Sequence, residues 1–278
     1  MSKQLPPSLA DLLGHLDDIG FRELYLGTPS VTESSVSTPR STSVSRATTE
    51  TPPPAASPPR SRPTASAAPP AQQSSLLDTI ERADLPTTPE ARREALDAIR
   101  ATALACTACR LAERRNQVVF ADGDPHADLM FIGEGPGAEE DRRGLPFVGA
   151  AGQLLDKIIK AIDFDRRSVY IANIVKCRPP NNRDPQADEV AACRGYLESQ
   201  IDLVQPRVIV LLGKVAAQTL LGSKQSLGRM RGRWWQVRGV DTRVTYHPAA
   251  LLRSSSWKRP TWEDMQIVRD RLRESAEG

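Results

Sequence analysis

Residues 128–133 read Asp-Leu-Met-Phe-Ile-Gly, a short apolar run that breaks directly into the loop Gly-Glu-Gly-Pro-Gly at 133–137. Two further apolar runs, at 169–175 and 207–213, have the same character. A stretch with apolar residues at helical spacing follows each run. Strands that alternate with helices predict a parallel sheet covered by helices on both faces. Ligands of such sheets bind where the carboxyl ends of the strands meet, so we expect a pocket there.

The rest of the pattern extends this arrangement outward. We predict helices over 88–105, 149–162, 185–204, 215–221 and 261–274, and two further short strands over 234–238 and 243–246.

Length and composition limit the class of protein. The chain has 278 residues, a formal net charge of +3, 39% hydrophobic residues and 26% charged residues. This length suggests one or two domains. We find no apolar run of the roughly 18 residues that a membrane span needs, and the first residues do not resemble a secretion signal. We therefore expect a cytoplasmic protein that does not bind membranes, and a monomer.

The composition divides the chain into three parts. Residues 1–27 contain four leucines at helical spacing behind Ser8, which predicts a short amphipathic helix. Residues 28–75 are nearly all Pro, Ser, Thr and Ala and contain no large apolar side chain except valine, so we expect a disordered linker. Residues 76–278 form the globular domain. The N-terminal helix either docks on a partner protein, docks on its own domain, or is a weakly ordered extension.

Four cysteines suggest a metal site. They are Cys106 and Cys109, which form a C-x2-C pair, followed by Cys177 and Cys193. Without a secretory signal, this pattern favours metal ligands over disulfides. Four thiolates can hold either a zinc ion or a [4Fe–4S] cluster, and the spacing does not separate the two. The alternative is that the four cysteines are unrelated and buried.

Four segments carry polar or aromatic residues to the expected pocket. The first is the Gly-rich loop at 133–137 with the acidic residues 139–141 after it. The second, 144–152, places Phe147 before a helix. In the third, 173–180, the amide of Asn173 interrupts an apolar strand. The fourth, 246–253, reads Tyr-His-Pro-Ala-Ala-Leu-Leu-Arg.

Together with the cysteines, these segments resemble the family 4 uracil-DNA glycosylases, the iron–sulfur branch of the uracil-DNA glycosylase superfamily. The resemblance covers residues 104–272. It implies a three-layer α/β/α fold with a short, mainly parallel sheet, a [4Fe–4S] cluster, and hydrolytic removal of uracil from DNA, which leaves an abasic site for base excision repair. We expect the activity to be monofunctional, without a Schiff-base lyase step.

The resemblance also implies roles for individual residues. The cluster ligands would be Cys106, Cys109, Cys177 and Cys193. The uracil pocket would be formed by Glu134, Gly135, Pro136, Phe147, Asn173 and His247. Phe147 would stack on the base, Asn173 would read its edge, and His247 would lie near uracil O2. Glu140 would assist the attacking water, although Gly135 stands where a better-known branch has its water-positioning aspartate. From the chemistry of the step, Glu134 is the alternative carboxylate for orienting that water.

We also expect contacts with DNA. Leu251 and Leu252, placed on a short loop before Arg253, would fill the space left by the flipped base, unless the two leucines pack inward. Basic residues on the predicted loops would hold phosphates: Arg142, Arg143, Lys176, Arg178, Arg183, Lys258 and Arg259. The rival functions are a catalytically weak iron–sulfur DNA-binding repair protein of the same fold and a zinc-stabilised enzyme that acts on another damaged base.

Overall fold

A computed structural model of the chain describes residues 85–274. The predicted N-terminal helix segment at 1–27, the predicted linker at 28–75 and the domain boundary at residue 76 lie outside these residues. Within the described part, no helix combines the length and the apolar character needed to cross a membrane.

The centre of the fold is one six-stranded sheet, counted over residues 85–274. Its strands are β1 (Asp122–Gly123), β2 (Leu129–Gly133), β3 (Tyr170–Asn173), β4 (Val208–Leu212), β5 (Trp235–Val237) and β6 (Val240–Thr245). Their order in the sheet is β1-β3-β2-β4-β6-β5. The four inner strands are parallel, and β1 and β5 pair antiparallel at the two edges. The expected mainly parallel sheet is confirmed.

The α-helices connect these strands. They are α1 (Pro89–Leu104), α2 (Ala138–Arg143), α3 (Ala150–Ala161), α4 (Ala187–Val204), α5 (Lys214–Leu221), α6 (Leu227–Met230), α7 (Pro248–Arg253) and α8 (Lys258–Glu274). Short 3-10 helices occur at Arg110–Glu113, Arg166–Ser168, Pro180–Asn182 and Ser255–Trp257.

Alternate side chains of the strands pack into two cores. Met130 and Ile132 of β2 join a cluster that includes residues of α1, α4 and α5 on one face of the sheet. Leu129 and Phe131 of the same strand join residues of α3 and α8 on the other face. Because both faces of β2 are fully buried, its sequence is continuously apolar rather than alternating. The three-layer α/β/α arrangement follows.

The elements that were not predicted are short. Strand β1 has two residues, and α2 and α7 have six each, which is too few for a periodic pattern to appear. The predicted strand at 169–175 ends earlier, at Asn173. Beyond it the backbone N–H groups of Ile174 and Val175 donate to the carbonyls of Gly133 and Glu134, at 2.9 and 3.2 Å.

Candidate active site

The carboxyl ends of the parallel strands meet at one edge, as expected. Gly133 ends β2, Asn173 ends β3 beside it, and His247 follows β6. Gly213, directly after β4, lies against the His247 ring, because a Cβ atom at Gly213 would stand 3.0 Å from the Cβ of His247. The tertiary structure therefore brings the predicted pocket residues together.

Asn173 carries the clearest sign of a binding function. Its side chain is 1% exposed, and its Oδ1 atom has no hydrogen-bond partner among the described residues. Burying an amide oxygen without a partner costs free energy, of order 1–3 kcal/mol. Such a group in a native fold calls for an explanation. A ligand that donates a hydrogen bond to Oδ1 supplies one.

A glycine allows this amide and the Phe147 ring to pack closely against the end of β2. A Cβ atom at Gly133 would lie 2.5 Å from Asn173 Oδ1 and 2.6 Å from the Phe147 ring. Any other residue would push the amide and the ring away from this position. The amide and the aromatic ring therefore border the same small space at the end of β2.

Phe147 reaches this space from a strained loop. Its φ of 50° lies in the left-handed region, which bulky residues rarely adopt. Its ring is buried, and the ring centroid lies 5.5 Å from that of His247. Strain of this kind persists only where the surrounding structure enforces it, and it concentrates at functional sites.

His247 is held as a neutral hydrogen-bond donor. It caps the N-terminus of α7, and its Nδ1 atom accepts from the backbone N–H of Ala249 at 3.1 Å. Because Nδ1 is the acceptor, the ring proton is on Nε2. Burial, and then the nearby positive charge of Arg253, lower the pKa of His247 to about 4, against an opposing effect of Glu140. The imidazole is therefore neutral at pH 7 and offers an Nε2–H donor.

The two candidate carboxylates differ in their surroundings. Glu140 Oε1 accepts from the backbone N–H groups of Val148 and Gly149, at 3.0 and 2.9 Å, so Glu140 ties α2 to the loop that carries Phe147. Burial, with a smaller contribution from Asp184, raises the pKa of Glu134 to about 7. A carboxyl group with a pKa near neutrality suits proton transfer. Geometry thus gives Glu140 a structural contact.

The remaining loop residues stand close to β3. Gly135 packs so tightly that a Cβ atom there would lie 2.8 Å from the side chain of Val175. Pro136 is buried next to it. The loop backbone therefore packs against the segment that follows β3.

The short loop predicted for Leu251, Leu252 and Arg253 is wrong. The structure places Leu251, Leu252 and Arg253 on α7 rather than on a loop, because Pro248 suits the first turn of a helix and His247 caps it. Leu251 is buried and lines a cavity together with Leu154 of α3 and Met265 of α8, so it packs inward, which was the alternative for the two leucines. Leu252 is 54% exposed, and Arg253 is also exposed.

The prediction that Lys176 lies on a loop and holds a DNA phosphate is also wrong. It is fully buried, and its Nζ donates to the backbone carbonyl of Asn173 at 2.9 Å. It cannot hold a DNA phosphate. The apolar residues immediately before it, Ile174 and Val175, were the available signal that this lysine points into the core.

The four cysteines lie near enough to one another that the charge of one affects the pKa of another. All four are free thiols. Burial raises the pKa of Cys193 to about 11, and Cys177 and Cys109 add to the increase. Burial also raises the pKa of Cys177, with contributions from Cys109 and Cys106.

Two donors point at these sulfurs. Arg115 Nη1 donates to Cys177 Sγ at 3.3 Å, and the backbone N–H of Lys176 donates to Cys193 Sγ at 3.3 Å. Donors of this kind favour the thiolate, which is the form that binds metal.

Comparison with known proteins agrees with this geometry. The model for the uracil DNA glycosylase superfamily matches residues 120–266. The type-4 uracil-DNA glycosylase of Sulfurisphaera tokodaii is 40% identical over 186 residues, which are 64% of this chain and 84% of that protein. The type-4 enzyme of Thermotoga maritima is 41% identical over 181 residues, 63% of this chain and 93% of that protein. A type-5 uracil-DNA glycosylase of Pyrobaculum aerophilum is 33% identical over 147 residues, 46% of this chain and 64% of that protein. This chain therefore belongs to the uracil-DNA glycosylase superfamily, among its type-4 members.

Proposed function

We propose that this protein removes uracil from DNA by hydrolysing the N-glycosidic bond, which leaves an abasic site for base excision repair. The observation that carries the proposal is the buried Oδ1 atom of Asn173, which has no hydrogen-bond partner among the described residues and lies beside the Phe147 ring at the end of β2. A glycosylase must flip its target base out of the duplex and hold it against groups of this kind.

The amide of Asn173 matches the edge of uracil. Its Oδ1 accepts from uracil N3–H, and its Nδ2 donates to uracil O4. Cytosine presents an acceptor at N3 and a donor at C4, so the same amide orientation repels it. Phe147 supplies the apolar face on which the flipped base rests.

His247 stabilises the leaving group. When the bond between the sugar C1′ and uracil N1 breaks, the electron pair remains on the base and charge develops on O2. A donor fixed in advance at that oxygen lowers the barrier by roughly 3 kcal/mol. The neutral Nε2–H of His247 is such a donor, and the N–H groups of the loop at 134–136 can supplement it.

Glu134 completes the reaction. Water adds to the cationic C1′ atom and loses one proton, which the carboxylate of Glu134 accepts. With a pKa of about 7, this group is partly ionised at neutral pH. Glu140 lies close to His247 and accepts hydrogen bonds from the backbone of the loop that contains Phe147.

We propose that Cys106, Cys109, Cys177 and Cys193 hold a [4Fe–4S] cluster. Two of these sulfurs already accept a hydrogen bond from nitrogen, Cys177 from Arg115 and Cys193 from the backbone N–H of Lys176, which favours the thiolate form that binds iron. Four thiolates are the ligand set of such a cluster. When bound, the cluster supplies a covalent crosslink between α4, the segment after β3 and the loop after α1.

Partners and location are further parts of the proposal. DNA binding would use Leu252 and Arg253, which face solvent next to His247. We propose a monomer that acts in the cytoplasm, and a protein partner for the N-terminal segment at 1–27.

Excision of uracil from a labelled oligonucleotide tests the proposed function. We expect the wild-type protein to cleave, and His247→Ala and Asn173→Ala to be slower by about 100-fold or more. A wild-type protein that binds the oligonucleotide without excising uracil would instead support the catalytically weak DNA-binding alternative. A colourless protein without iron that excises another base would support the zinc alternative.

A further inference from the structure

Arg166 makes four hydrogen bonds behind the pocket. This arginine opens the 3-10 helix Arg166–Ser168, just before β3, and its side chain is 21% exposed. Its Nη2 donates to the carbonyl of Pro146 at 2.6 Å, and its Nη1 donates to the carbonyl of Phe147 at 2.9 Å. A guanidinium can hold two adjacent carbonyls in this way because its donors form a rigid fork.

Two carboxylates fix the guanidinium itself. Its Nε donates to Asp122 of β1 and its Nη1 to Asp156 of α3, both at 2.8 Å. The loop at 146–147, the edge strand and α3 therefore meet at Arg166. The interaction joins elements that are distant in sequence.

The carbonyl of Phe147 is also confined by α3. A Cβ atom at Gly152, in the first turn of α3, would lie 1.9 Å from that oxygen. Phe147 has a φ of 50°, which its side chain disfavours. Helix packing and the arginine fork together hold a backbone conformation that the residue would not keep alone.

We propose that Arg166 is a positioning residue that fixes the Phe147 ring for stacking on the flipped base. The inference rests on the proposed function and deepens it. It names Arg166 as a group that does not touch the base but determines how tightly the base is bound. Arg166 donates to the backbone of the loop and to two carboxylates, so its effect on the base passes through Phe147.

The substitution Arg166→Lys tests this role. Lysine keeps the charge near Asp122 and Asp156 but cannot donate a planar fork to two carbonyls. We expect the inhibition constant of free uracil and the KM for uracil-containing DNA each to rise about tenfold. This change corresponds to the loss of part of one base-stacking contact. Binding of an undamaged oligonucleotide should not change. Arg273→Lys, in the exposed pair between Arg273 and Asp163, is the matched control.

A double-mutant cycle with Phe147→Leu separates positioning from general stability. If Arg166 acts through the ring, Arg166→Lys has no further effect on uracil inhibition in the Phe147→Leu background. An equal tenfold loss in that background, or unchanged uracil inhibition in the single variant, would overturn the proposal. Should Arg166→Lys fail to fold, Asp156→Asn, which removes one anchor of the guanidinium, undergoes the same cycle. If the wild-type protein excises no uracil, the proposed function itself fails, and this outcome is distinct from an unaffected Arg166 variant.

Discussion

The Nζ atom of Lys176 donates to the backbone carbonyl of Asn173 at 2.9 Å, entirely within the core. Nζ also donates to Gln200 Oε1 at 2.5 Å. Gln200 in turn donates to the carbonyl of Phe120 at 3.1 Å and to the hydroxyl of Tyr170 at 3.2 Å. The residue proposed to read uracil is thus supported from behind by a buried polar network.

Replacing Lys176 should disturb this support. The substitution Lys176→Met leaves two buried oxygens without a donor, on Asn173 and Gln200. We expect a loss of roughly 2–3 kcal/mol in the free energy of unfolding, measured with urea, and slower uracil excision. Lys214→Met, at an exposed lysine, is the control. Unchanged stability of Lys176→Met would show that the network contributes nothing.

His247 should remain neutral well below pH 6.5. Its folded pKa of about 4 is lower than its ordinary value. The unfolded chain therefore binds the proton first as the pH falls, and stability is lost between about pH 6.5 and pH 4. Nitrogen NMR of histidine-labelled protein checks the ionisation, with His247→Gln to identify the signal. A His247 resonance that titrates near 6.5 would contradict the prediction.

Glu134 should make both rate and stability depend on pH. Its pKa is raised to about 7, so the carboxylate forms as the pH rises through that value, and excision should rise with it. Glu134→Gln should be roughly 100-fold slower and lose this dependence.

The effect on stability has the opposite sign. The folded state holds its proton more tightly than the unfolded chain, so stability falls as the pH rises from 4.5 to about 7. Glu134→Gln should therefore be more stable than the wild type at pH 8 by roughly 1–2 kcal/mol, after a discount for solvent screening, and equal to it at pH 4. Glu140→Gln is the comparison. If Glu140→Gln alone abolished the rise in rate with pH, the roles of the two carboxylates would be reversed.

The two leucines of α7 should have separate effects. Leu252→Ala should weaken excision from double-stranded DNA about tenfold, with a change in stability within about 0.5 kcal/mol, because its side chain is exposed. Leu251→Ala should destabilise the fold by about 2–4 kcal/mol, because it opens a cavity between α3 and α8. Excision kinetics and thermal unfolding of both variants check this. Equal excision by Leu252→Ala and wild type would exclude the wedge.

Removing one cysteine should abolish binding of the proposed cluster and lower the stability of the protein together. We expect Cys109→Ala to be purified with little iron and weak visible absorbance, and to unfold at a lower temperature, because the proposed cluster crosslinks three segments. Thr107→Ala, in the same Cys-Thr-Ala-Cys loop, should keep both properties. A colourless Cys109→Ala with the unfolding temperature of the wild type would refute a structural cluster.

The sequence by itself determined the layered sheet and the edge at which the site forms. Runs such as 128–133 and 207–213 are apolar throughout, and only strands buried on both faces have that composition. Because parallel strands end at one edge, Gly133, Asn173 and His247 were expected to meet there, and they do.

Tertiary structure alone decided which side chains face the pocket and what holds them. The sequence pattern does not distinguish Leu251 from Leu252, because the contacts that bury one of them come from α3 and α8. The amine of Lys176 tolerates burial because Gln200, 24 residues further along the chain, accepts its hydrogen bond. Glu140 is held in place because the loop at 148–149 folds back onto α2. In each case the deciding partner lies far along the chain, where no local periodicity records it.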